Sequence, residues 1–144
     1  MANTLWLDNF ITTYSKLGVD NLHLLKEIYH QDVQFVDPMH KLKGLDTLLN
    51  YFDELYTQVS HCQFVVEEVL EADSEAAIYW TMTFCHKKLN KQQPIKVQGH
   101  SHIKSQDDKV IFHRDYLDLG AMLYEQIPLL GALIKSIKSR ASQA

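Results

Sequence analysis

Ala76-Ala77-Ile78-Tyr79-Trp80-Thr81-Met82-Thr83-Phe84-Cys85-His86-Lys87 is the stretch that decides the fold. It alternates: Ile78, Trp80, Met82 and Phe84 fall on one face, and Tyr79, Thr81, Thr83 and Cys85 on the other. That is the period of a strand with one side on a core. Working outward, residues 61–71, 95–105 and 109–118 read as strands too. Lys87 to Pro94 is a polar hairpin connection, and Gln106-Asp107-Asp108 joins the last two strands. Upstream the period changes to that of helices. Leu5, Phe10, Tyr14 and Leu17 lie near one helical face, with Asn3 or Thr4 as cap and Gly18 as the stop. A short helix carries Leu22, Leu25, Ile28 and Tyr29, and a short strand, Asp32 to Asp37, stops at Pro38. After Gly44, the residues Leu45, Leu48, Leu49, Phe52, Leu55 and Tyr56 make an apolar helical stripe. Helices followed by a long antiparallel sheet give an α+β class. Such a sheet, bent over the helices, would enclose an apolar pocket.

Composition narrows the function classes. With 144 residues, 46% of them apolar, the chain can build one core, which excludes general disorder. A net charge of −4 disfavours nucleic acid and anionic membranes as partners. No apolar run approaches the roughly 20 residues of a transmembrane helix. MANTLWLDNF has no Lys or Arg before its apolar residues and does not read as a secretory signal. Cys62 and Cys85 make no disulfide framework and suit reduced thiols in the cytoplasm.

Three constellations could carry chemistry. Asp37-Pro38 is either a turn former or a base at a strand end. A carboxylate and the Tyr14 phenol in one apolar cavity would suit proton transfer beside a carbonyl, the first taking the proton and the second binding the oxyanion. His113-Arg114-Asp115-Tyr116-Leu117-Asp118 is either a solvated ion-pair strand or part of the pocket. A three-residue turn at 106–108 would set Ser101 opposite His113 and place Val97, Ser101, Ile103, Ile111, His113, Asp115 and Leu117 on one face. A two-residue turn would reverse the face. His100 and His102 point the same way. Without a third ligand they suit an outer face or subunit contact better than a metal, so no metal and no cofactor is expected. Residues 127–134 with Lys135, Lys138 and Arg140 form an amphipathic helix, for an interface, the domain itself or a second subunit.

Tyr14, Ile28-Tyr29 and Asp32-Val33-x-Phe35-x-Asp37-Pro38, in that order, resemble the ketosteroid isomerase and SnoaL-like polyketide cyclase superfamily, which includes nuclear-transport-factor-type domains. Glu75 to Phe84 is similar to a central strand of the isomerases. Arg114-Asp115-Tyr116-Leu117-Asp118 is similar to the last strand of SnoaL-like proteins and limonene epoxide hydrolases. The resemblance spans roughly residues 4–120. It implies a cone of curved sheet closed by helices over residues 1–120, often dimeric through the outer sheet face, with residues 121–144 as a helical extension. By resemblance Asp37 is the proton-shuttling carboxylate, Tyr14 an oxyanion donor and Asp115 a pocket acid or base. Ser101 replaces the isomerases' second, carboxylic acid donor. Tyr79, Trp80 and Thr81 stand where the hydrolases carry an Arg-x-Asp pair, so epoxide hydrolysis is not implied.

The expected function is binding of a small apolar molecule by a cytoplasmic homodimer. Isomerase- or cyclase-like proton transfer would be carried by Asp37, Tyr14 and Asp115. Ser101, His113, Ile78, Trp80, Met82 and Phe84 would contact the substrate. The alternative is a non-catalytic ligand-binding or dimeric interaction module of the same fold.

Overall fold

The period-two segments pair into one curved, unclosed sheet in a computed structural model that describes residues 4–143. Its strands are β1 (Tyr29–Val36), β2 (Lys41–Lys43), β3 (Val59–Ala72), β4 (Glu75–His86), β5 (Ile95–Gln106) and β6 (Lys109–Leu117), in the order β2-β1-β6-β5-β4-β3. Four pairings among the described residues are antiparallel; β1 runs parallel to β6. The sheet is therefore mixed. The helical residues 45–56 lie between the β1–β2 pair and the β3–β6 meander, and this connection lets β1 lie parallel to β6 with β2 outside it at the edge.

Helices α1 (Leu5–Lys16) and α2 (Leu45–Tyr56), with a 3₁₀ turn at Leu22–Glu27, pack on the inner side of the sheet. Helix α1 buries Trp6, Leu7, Phe10 and Tyr14 in the core. Leu5, expected on that face, is 71% exposed in the first turn. Thr4 holds the N-cap position, but its hydroxyl donates to Glu71 rather than capping, and Asn3 lies outside the described residues. Gly44 precedes α2 with φ 93°, a left-handed conformation that suits glycine, while its N–H donates to Val33 O at 2.7 Å. Helix α2 buries Leu48, Phe52 and Tyr56 and leaves Leu55 at the rim.

The β4 alternation is as the sequence implies. Ile78, Trp80 and Phe84 are buried, and Tyr79 is exposed on the outer face. The β5–β6 hairpin is built differently from expectation, yet with nearly the same outcome. Gln106 pairs with Lys109, so the turn has two residues, Asp107 and Asp108, both at positive φ as a twist-matched hairpin turn requires. A β-bulge then follows, as Lys104 pairs with Phe112 while Ser105 pairs with Val110. The two-residue turn reverses the face and the bulge reverses it back. Ser101, Ile103 and His113 consequently face inward. The corrections are local: Val110 rather than Ile111 is buried, and Ser101 lies opposite Asp115 rather than His113.

Residues beyond β6 form α3 (Leu119–Met122), a 3₁₀ turn at Tyr124–Gln126 and α4 (Leu130–Ala141). Asp118 caps α3, accepting from Ala121 N, and also pairs with Lys138, which ties α4 to the domain together with Glu125. No helix among the described residues is long and apolar enough to cross a membrane.

Candidate functional site

Between α1, α2 and strands β3 to β6 lies a cavity of about 50 Å³, lined by residues that include Phe10, Tyr14, Phe64, Ile78, Trp80 and Asp115. Its wall is apolar except where one chain of hydrogen bonds crosses it. Tyr14 Oη lies 2.5 Å from Tyr29 Oη, and Tyr29 Oη lies 2.6 Å from His113 Nδ1. His113 Nε2 is 2.5 Å from Asp115 Oδ1. That oxygen also accepts from Ser101 Oγ at 2.6 Å, and Ser101 Oγ accepts from Trp80 Nε1 at 2.9 Å. Six side chains from α1, β1, β4, β5 and β6 thus join in one buried network.

The local sequence explains the convergence. Tyr14 is on the buried stripe of α1, one turn from Phe10, whose ring packs against the rings of Tyr14, Tyr29 and His113. Phe35 presses on His113 with ring centroids 4.9 Å apart. His113 is 2% exposed, so its imidazole is held by aromatic walls and by partners at both ring nitrogens. Burial raises the phenols of Tyr14 and Tyr29 well above the ordinary tyrosine range, so both remain protonated at neutral pH. The Asp115 side chain is 18% exposed, leaving it on the boundary between protein and cavity.

Tyr14, Asp115, Ser101, His113, Ile78 and Trp80 therefore come together as expected. Met82 and Phe84 do not line this cavity. They line a second chamber of about 240 Å³ with Met39, Tyr51, Leu55, Tyr56, Cys62 and Met122 among its walls. The two compartments are neighbours along α2, where Phe52 lines the first and Tyr56 the second, their rings 6.1 Å apart. Tyr56 Oη lies 3.7 Å from Cys62 Sγ, and burial pushes the Cys62 thiol up.

Asp37 is placed outside the Tyr14 cavity. Its Oδ1 accepts from the backbone N–H of Met39 at 2.8 Å and of His40 at 2.7 Å, and its Oδ2 accepts from Tyr51 Oη at 2.9 Å. This is the turn-forming arrangement of an Asp before Pro. Burial, with the Asp37 charge beside it, lifts the Tyr51 phenol above its usual range. Asp37 and Asp115 share only an open groove with Pro38 and residues 114–117. Asp37→Ala is expected to destabilise the protein by about 1–3 kcal/mol in chemical denaturation, the scale of stranding hydrogen-bond donors. It should leave binding in the Tyr14 cavity unchanged.

Tyr29 was not among the residues that sequence reasoning places in the site. Helical spacing puts it at the end of the second helix, whereas it opens β1. Tyr29 shares the parity of Val33 and Phe35, but Gln31 between them is exposed and the β1–β6 register is irregular between Tyr29 and Gln34, so no unbroken alternation marks it as inward. His100 and His102 occupy the outer face. His100 is stacked between Tyr79 and Tyr116, and His102 Nε2 lies 2.9 Å from Glu75.

Comparisons with known proteins bear on this arrangement. The description of a SnoaL-like domain matches residues 10–113. Comparison with curated proteins gives no match. Among solved structures, a protein from Jannaschia sp. CCS1 with a provisional SnoaL-like polyketide cyclase assignment superposes with a TM-score of 0.73 at 13% identity, over 85% of this chain and 94% of that one. A hypothetical protein of ketosteroid isomerase-like fold from Catenulispora acidiphila, solved with trimethylamine, gives a TM-score of 0.73 at 12% identity, over 87% and 93% of the two chains. Identities this low carry the fold alone. With the domain match covering most of the chain, the protein belongs to the SnoaL-like domain family.

Proposed function

We propose that the protein binds a small apolar carbonyl compound in the Tyr14 cavity and moves a proton at the carbon beside the carbonyl. Asp115 is the base, and Tyr14 faces the oxygen on which negative charge develops. The observation that carries this reading is the buried hydrogen-bond chain that ends at Asp115 on the cavity wall. Ser101 and His113 both approach Oδ1, which leaves Oδ2 as the oxygen free to meet a C–H. The surrounding wall of Phe10, Phe64, Ile78 and Trp80 is apolar, so the charges act in a low dielectric. The 240 Å³ chamber adjoining it would take the apolar remainder of the ligand.

The reading predicts catalysed hydrogen–deuterium exchange. Cyclic and aromatic ketones incubated with the protein in D₂O should lose their α-proton NMR signals faster than in buffer. A panel that binds without any accelerated exchange would favour the second reading, a carrier. The apolar lining of the larger chamber suits a carrier as well as an enzyme.

The outer sheet face supports a homodimer. The Tyr79–His100–Tyr116 stack and Val65 are exposed there. Glu75 and Lys104 sit side by side there, paired across β4 and β5, with Lys104 over Phe112 and Arg114 over Tyr116. Sedimentation velocity on the wild type and on Tyr79→Asp reads this directly, with the variant expected to run as a monomer.

A further inference from the structure

We infer that the cavity is a proton-coupled oxyanion site: Tyr14 can donate a hydrogen bond to a ligand oxygen only when His113 carries a proton on both ring nitrogens. The inference rests on the site reading above and names the condition under which that site can work.

The donors along the chain can be counted. Trp80 Nε1 can only donate, so Ser101 Oγ accepts from it and turns its own proton to Asp115 Oδ1. The Asp115 carboxylate can only accept, so His113 Nε2 carries a hydrogen aimed at it. A neutral His113 then has a bare Nδ1, which must accept from Tyr29. Tyr29 has one proton and has spent it, so the hydrogen bond to Tyr14 is donated by Tyr14. Every buried polar side-chain atom among the described residues is satisfied. In this state no donor points into the cavity, which offers an oxyanion only lone pairs.

A second proton on His113 reverses the chain without moving a heavy atom. Nδ1–H now donates to Tyr29 Oη. Tyr29 turns its proton to Tyr14 Oη, and the Tyr14 proton is released toward the cavity. One proton arriving at the imidazole makes one donor appear at the far end, and the His113 cation offsets the Asp115 charge. The titratable groups that face the ring are Tyr14 from α1, Tyr29 from β1 and Asp115 from β6. Phe10 and Phe35 close its remaining sides. Tyr29 is thus a positioning residue that never touches the ligand. It couples Tyr14 to His113, so that the proton count at the imidazole decides which way the Tyr14 hydroxyl points.

The test uses binding, so its outcome is independent of whether the protein catalyses exchange. Acetate, butyrate and benzoate are permanent anions above pH 6 and serve as probes in isothermal titration, with buffers of different ionisation enthalpy. Wild-type binding should take up one proton at alkaline pH, and affinity should fall about tenfold per pH unit there. Tyr29→Phe removes the acceptor that occupies the Tyr14 proton, so Tyr14 is free to donate at any pH. The variant should still bind, without proton uptake and with a flat pH dependence. Tyr14→Phe should lose binding throughout. ¹⁵N spectra of the imidazole should show His113 with hydrogen on Nε2 alone in the free protein at high pH, and on both nitrogens when a probe is bound. Binding without proton uptake in the wild type overturns the inference. So does an unchanged pH slope in Tyr29→Phe, a loss of binding in that variant equal to that of Tyr14→Phe, or no binding of any probe at pH 6.

Discussion

Asp115→Asn is expected to lower the rate of α-proton exchange by about 10²–10⁴-fold, the usual contribution of a positioned general base. The substitution keeps the shape of the side chain and removes its charge and its basicity. The amide oxygen can still accept from Ser101 and His113, so the network around Oδ1 can persist. The fold should hold, because the residue lies at the cavity wall with 18% of its side chain exposed. The informative comparison is between rate and affinity. Ketone binding should change little while exchange collapses, since the base acts in the transition state. A loss of affinity with exchange per bound ligand unchanged would mean that Asp115 only shapes the pocket. Asp37→Asn provides the contrast, with its carboxylate committed to two turn amides and Tyr51 and its exchange rate expected at the wild-type level.

The difference between the two aspartates shows how far the sequence could be read. Both sit at positions where the family resemblance points to proton transfer, and both have inward parity on their strands. What separates them is tertiary. The chain folds back after Pro38 so that the Met39 and His40 amides close on Asp37, and α2 brings Tyr51 over the second oxygen. No periodicity carries that information. Asp115, level with Asp37 across the β1–β6 pair, instead has Ser101 of β5 opposite it and His113 on its Oδ1. Local signals were sufficient for the strand faces. The β4 alternation places Ile78, Trp80 and Phe84 inside because one side of a half-buried strand must be apolar throughout. They were insufficient for the β5–β6 register, which depends on a bulge at Ile111 that leaves no mark in the pattern of residue types. The inward face nonetheless survives at Ser101, Ile103, His113 and Asp115, because a turn one residue shorter and a bulge one residue long cancel in parity beyond the bulge.

Gly99 is the second place where a tertiary demand is hidden, and substituting it should have the largest structural effect of any change near the site. Gly99 lies on the inward side of β5, paired with Trp80 on β4 and Leu117 on β6. A Cβ at this position would sit 2.5 Å from the Trp80 ring and 2.7 Å from the carbonyl oxygen of Tyr116. The absent side chain is what lets the indole lie flat across β5 and reach Ser101 with its Nε1 at 2.9 Å. The backbone carbonyl cannot yield without disturbing the β5–β6 ladder, and Trp80 is held by Phe64 at a ring distance of 5.6 Å. Gly99→Ala should therefore destabilise the protein by about 1–3 kcal/mol, the scale of overpacking a filled core, and Gly99→Val by more. At this chain length that is a fall of several degrees in Tm, on the order of 3–10 °C for the alanine variant. A purely structural defect would stop there. Because Trp80 anchors Ser101, and Ser101 anchors Asp115, displacement of the indole should also release the carboxylate. Gly99→Ala is then expected to slow α-proton exchange at temperatures well below its Tm and to shift Trp80 emission to the red. Pairing it with Trp80→Phe, whose smaller ring makes room for the new methyl, should recover part of the lost stability but none of the exchange, since the Nε1–H is gone. Recovery of both would show that Trp80 fills space at this site and does not orient Asp115.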